Sequence, residues 1–88
     1  MIVRPEITDG ALEAAFARLQ EQLDESMVKH GSGTFVSAHE SLGVLTEEFH
    51  ELVEAVRAND AEAVLHELGD IALVAVFAMA SIEQGRAR

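Results

Sequence analysis

An all-α fold is expected, a short antiparallel bundle of three main helices. Three features carry that expectation. Apolar residues recur at spacings of three and four in three successive blocks, as a helix with one buried stripe requires. No stretch alternates apolar and polar residues with the period of a strand. The chain punctuation (Pro5, Gly10, Gly31-Ser32-Gly33 and Asn59-Asp60) falls between the blocks, where helices stop and start.

The first block runs from about Ala11 to Val28, with Leu12, Ala15, Phe16, Leu19, Leu23 and Met27 on one stripe. Thr8 or Asp9 is placed to cap it, and Lys29-His30-Gly31 puts cations and then a glycine at its end. The second runs from about Ala38 to Ala58, with the stripe Leu42, Leu45, Phe49, Leu52 and Val56. Ser37 with Glu40 three residues later fits a capping box. Phe35 reads as a hydrophobic staple at the start of that helix. The third runs from about Ala61 to Ile82, capped by Asn59 or Asp60 and followed by Gly85, with a break near Gly69 as a possible variant.

Composition narrows the function. The 88 residues carry 16 acids against 6 bases, a net charge of −10. Such a chain lacks the basic footprint that a nucleic-acid polymer or an anionic membrane surface requires. With no cysteine, a disulfide framework, a thiolate zinc site and a cysteine nucleophile are excluded. The N-terminus lacks the apolar core of a signal peptide. The apolar run Ile71 to Ala80 is shorter than the roughly 20 residues a membrane span needs. A cytoplasmic protein is the expectation. A domain this small is marginal alone, and a segment apolar on every face must be buried all round. We therefore expect a homo-oligomer with Ile71–Ala80 in its interface.

Nine of the 16 acids lie between Glu40 and Asp70, against one base, Arg57. Glu48–Glu51 and Glu67–Asp70 are spaced three apart, so each pair shares a helix face. Taking about 100° per residue and Val44 as zero, the apolar stripe of the second block centres near about 110°. Glu48 then falls at about 40° and Glu51 at about 340°, along its edge, whereas Glu47 (about 300°) and His50 (about 240°) lie away from it. Glu48 and Glu51 are the better placed to meet carboxylates of the third helix. Four converging carboxylates stay ionised only with a compensating cation, and all-oxygen donors suit Mg²⁺, Mn²⁺ or Ca²⁺.

The run Glu47-Glu48-Phe49-His50-Glu51 is an E-E-x-x-E motif, followed after 15 residues by Glu67-Leu68-Gly69-Asp70. Together they resemble the signature of the MazG-like all-α nucleotide pyrophosphohydrolases, over about Phe35 to Ile82. The resemblance implies a Mg²⁺-dependent enzyme, with Mn²⁺ able to substitute. Its reaction would split a nucleoside triphosphate between the α and β phosphates into a monophosphate and pyrophosphate. Carried over by position, Glu48, Glu51, Glu67 and Asp70 would be metal ligands, and Glu47 would position or deprotonate the attacking water. Phe77 stands where many relatives carry a polar residue, and relatives often have a fourth helix. A phosphoribosyl-ATP pyrophosphohydrolase is the enzymatic alternative, disfavoured by Leu68-Gly69 within the second motif. A non-catalytic oligomer that keeps the motif as a metal staple is the alternative outside catalysis.

Other residues add less. Lys29 is the first choice for a phosphate contact, although Lys29-His30-Gly31-Ser32-Gly33-Thr34 lacks P-loop spacing. Phe35 and His39 could reach a substrate edge. Glu47 with His50 has the E-x-x-H spacing of di-iron bundles, but those need two such motifs. His66 reads as an exposed neighbour of Glu67.

Overall fold

A computed structural model describes residues 2–86. It contains three α-helices, α1 (Asp9–His30), α2 (Ala38–Arg57) and α3 (Ala61–Glu83), and no strand among the described residues. Each helix starts where a side chain takes up a free backbone donor. Thr8 Oγ1 accepts from Ala11 N–H (3.1 Å), Ser37 Oγ from Glu40 N–H (3.1 Å), and Asp60 Oδ1 from Ala63 N–H (3.1 Å). The capping box is offset by one residue: Glu40 Oε1 accepts from Val36 N–H at 2.9 Å. Gly31 ends α1 at φ 80°, a conformation that favours glycine. Between α2 and α3 the chain reverses through Ala58-Asn59-Asp60, with Asn59 at φ 55°. Asparagine tolerates that left-handed region better than other side-chain-bearing residues do.

The third helix is not broken. It runs through Gly69 without interruption, although a mid-helix glycine costs roughly 1 kcal/mol relative to alanine. The glycine serves packing: a Cβ there would collide with the carboxamide of Gln22, lying 2.7 Å from its carbon.

Helix α3 is central. Both α1 and α2 pack on it, and they do not pack on each other among the described residues. Among the described residues, the buried apolar ones are Ala55 and Leu73. The accessible surface is 6973 Å², against about 5,000 Å² for a closed monomer of 9.5 kDa. The radius of gyration, 14.9 Å, likewise exceeds the roughly 12 Å of a compact domain of this length. By length and composition α3 is apolar enough to cross a membrane, but it also carries Glu67 and Asp70 in its first half.

The stripe on α2 resolves into two faces. Ser41 and Ala55 are buried, and Val44, Leu45, Glu48, Leu52 and Val53 are half-buried. On the wheel used above all of these but Val53, at about 180°, centre at about 50°. Leu42, Phe49 and Val56, at about 120–160°, stay 54–61% exposed. Glu48 therefore sits in the middle of the face that meets α3, not at its edge.

The linker preceding α2 is tied to the far end of α3. Ser81, 1% exposed, donates its hydroxyl to the Phe77 carbonyl (2.7 Å) and accepts from Phe35 N–H (3.0 Å). Phe35 is thereby held beside α3.

Candidate metal centre

Two helical pairs, Glu48 with Glu51 on α2 and Glu67 with Asp70 on α3, face each other across the α2–α3 contact. One carboxylate oxygen from each of Glu48, Glu51 and Glu67 lies within 4.8 Å of the others. His66, Glu67 and Asp70 form a second such group, so Glu67 is common to both. Among the described residues, Glu48 Oε2 and Glu67 Oε2 are buried atoms without a hydrogen-bond partner. An unpartnered buried carboxylate oxygen is unfavourable.

The electrostatics follow from that geometry. The Glu48 carboxyl is pushed up to about 7. Burial contributes most, then the negative charges of Asp70, Glu51 and Glu67. Glu67 is also raised, first by burial, then by the close Glu51 carboxylate and the charge of Asp70, against a lowering influence of His66. Without a cation, the Glu48 carboxyl is partly protonated near neutral pH. A divalent cation answers the same need, neutralising the charge and taking up the orphaned oxygens. Oxygen donors from two helices fit a hard cation of the Mg²⁺ or Mn²⁺ type.

Asp70, with a side chain 27% exposed, is held from the other flank. Its Oδ1 accepts from Gln22 Nε2 of α1 at 2.7 Å, and its Oδ2 lies 3.3 Å from His66 Nε2. Gln22 Nε2 also donates to the His66 carbonyl at 2.9 Å.

A cavity of about 340 Å³ opens beside the carboxylates, lined by His30, Phe35, Glu48, Asp70, Leu73 and Phe77 among others. A smaller groove of about 220 Å³ on the α1 side of Asp70 includes Lys29, His30 and His66. The residues singled out in the sequence separate accordingly. Phe35 lines the larger cavity beside Glu48 and Asp70, and Lys29 the groove beside Asp70. Glu47 is exposed and outside both carboxylate groups. His39 is exposed in the first turn of α2 and lines neither space. His50 pairs with Glu54 at the surface, 3.5 Å apart. Phe77, noted in the sequence as a departure, forms part of the cavity wall.

Sequence reasoning missed Gln22 and Ser81. A lone glutamine on α1 carries no signal of the carboxylate it will meet 48 residues later. Ser81 is the first polar residue after the apolar run Ile71 to Ala80, and that position is the one signal it carries.

Comparison with known proteins gives one family match: the model described as the MazG nucleotide pyrophosphohydrolase domain covers residues 37–87, more than half of the chain. No curated protein and no solved structure matches significantly.

Proposed function

The chain belongs to the MazG family, and on that basis we propose that it is a Mg²⁺-dependent nucleoside triphosphate pyrophosphohydrolase that removes non-canonical or surplus nucleotides. Membership and the clustered acids support a metal-dependent hydrolase in general terms. The observation carrying the finer reading is the pair of orphaned carboxylate oxygens, on Glu48 and Glu67, beside a cavity of nucleoside size. In this reading Glu48, Glu51, Glu67 and Asp70 hold the cation, with Mn²⁺ able to replace Mg²⁺. The bound cation offsets phosphate charge and makes a water molecule more acidic.

The remaining roles belong to the chain's own side chains. Phe35, fixed by Ser81, contributes an apolar wall for a base or sugar. Lys29, beside Asp70 in the groove, contacts phosphate oxygens. Glu47 faces solvent one residue from Glu48, and orients or deprotonates water arriving from that side. The water oxygen bonds to the α phosphorus, and the bond from that phosphorus to the bridging oxygen breaks, releasing pyrophosphate. His39 would meet only substrate extending beyond the cavity.

Pyrophosphate release across a panel of nucleoside triphosphates with Mg²⁺ tests the reading. Wild type is expected to turn over at least one nucleotide and Glu48→Gln none at a comparable rate. Equal rates in the two, or none on any nucleotide, overturns it. Metal binding without nucleotide binding, measured by calorimetry, would return the molecule to a metal-stapled oligomer.

We also propose that the functional unit is a homo-oligomer of one-domain chains in the cytoplasm. Exposed Leu42, Phe49 and Val56 on α2, with Leu68, Val76 and Met79 on α3, leave more apolar surface than a stable monomer of this size carries. Light scattering at micromolar concentration is expected to give a dimer or larger; a monomer overturns this.

A further inference from the structure

We propose that Gln22 is a positioning residue for the metal centre. On this proposal its carboxamide fixes the Asp70 carboxylate, and so couples α1, which lies outside the family match, to cation binding. The inference rests on the reading of Asp70 as a ligand.

Gln22 is the one buried residue of α1. A glutamine at 9% exposure is costly to bury unless its amide is satisfied. Its two N–H bonds go to the Asp70 carboxylate and the His66 carbonyl (2.7 and 2.9 Å). The second bond anchors the amide to the backbone of α3, so the first holds Asp70 from a fixed point. His66 completes the clamp on Oδ2. A carboxylate has about four acceptor sites, so these two contacts leave it able to bind a cation with its orientation set. Partners of this kind around a metal ligand are typically worth about 10- to 100-fold in affinity.

Gly69 is the counterpart. The amide lies where a Cβ at position 69 would stand. Within Glu67-Leu68-Gly69-Asp70, the glycine is thus the opening through which α1 reaches the acidic residue that follows it. No carboxylate of α1 joins either acidic group, and this amide is the hydrogen bond by which α1 holds the Asp70 side chain.

The test uses the full chain and Mn²⁺ alone, without nucleotide, followed by calorimetry and by the Mn²⁺-induced rise in Tm. Gln22→Met keeps length and volume but has no donor. Gly69→Ala displaces the amide by another route. Glu48→Gln is the control that removes a ligand. Each single variant is expected to bind Mn²⁺ about tenfold more weakly, with far-UV helix content retained. The double variant should be no weaker than either single one, because both act through one amide. Wild-type affinity in Gln22→Met or in Gly69→Ala overturns the proposal while leaving the metal centre intact. A lowered Tm with an unchanged Mn²⁺ response overturns it too, since a purely structural residue behaves that way. Loss of fold in one variant leaves the decision to the other, and loss in both marks Gln22 as a folding residue and overturns the proposal. Absence of Mn²⁺ binding by wild type overturns both this proposal and the reading of the centre.

Discussion

The two sides of α3 handle acidic groups in opposite ways. Toward α1, Asp70 meets an amide donor, with the imidazole of His66 beside it on α3, and these contacts are complementary even though its charge also bears on Glu48. Toward α2, Glu67 meets Glu48 and Glu51, like charges with two orphaned oxygens. An interface that only had to hold two helices together would be better served by the first arrangement. The second is unfavourable until something positive arrives, which separates a ligand site from a packing contact in terms of energy alone.

Four measurements bear on that contrast, in descending order of expected effect. Glu48→Gln should lower Mg²⁺-dependent turnover on the order of 1,000-fold, the equivalent of several kcal/mol of electrostatic stabilisation. Differential scanning should at the same time show a higher Tm for the metal-free variant at pH 7, because a mutual repulsion has been removed. A lower Tm would mean that the α2 side is already compensated. Leu73→Ala, at the buried apolar position of α3 beside Glu48, should lose about 2–4 kcal/mol in urea unfolding. The third is the pH dependence. Glu48 has its carboxyl raised from 4.5 to about 7 in the folded chain, so between those values the folded state holds a proton that the unfolded state has released. The contribution of Glu48 to metal-free stability should therefore fall as pH rises from about 4.5 to 7, and saturating Mg²⁺ should flatten the trend. Comparing Tm over that range with and without metal, for wild type and Glu48→Gln, checks the sign. Last, Arg18→Ala on the α1 side removes an exposed pair with Glu62 at 3.5 Å and should change stability by no more than about 1 kcal/mol.

Much of this could be read from local chemistry. The helix limits follow from Thr8, Ser37, Asp60 and the glycines, each acting within one turn of chain, and the structure keeps them within two residues of the expected ends. The convergence of Glu48 and Glu51 on α3 also follows from helical spacing. What failed was the assignment of α2's face. Leu42, Phe49 and Val56 are as hydrophobic as Val44 and Leu52, and hydrophobicity does not say which partner each set will meet. Averaging both sets moved the apparent centre of burial away from Glu48. Gly69 stays ambiguous in the sequence for a related reason: a helix-weakening residue and an opening for a neighbour's side chain look identical in one chain. Gln22 needs the docking of α1 before it acquires a partner at all.

The reversal at Ala58-Asn59-Asp60 works as a ruler. Counting outward from Asn59, Glu51 and Glu67 each stand 8 residues away, and Glu48 and Asp70 each stand 11. In an antiparallel hairpin, equal counts place residues at equal height, about 12 Å and 16 Å from the turn at 1.5 Å per residue. The electrostatic partners follow the same pairing, with Asp70 the strongest charge on Glu48 and Glu51 the strongest negative charge on Glu67. The fifteen-residue gap between the two motifs is thus a length specification, written as turn plus two equal helical arms. One residue inserted into an arm would rotate its acids by about 100° and dismantle the centre while leaving every carboxylate in the sequence.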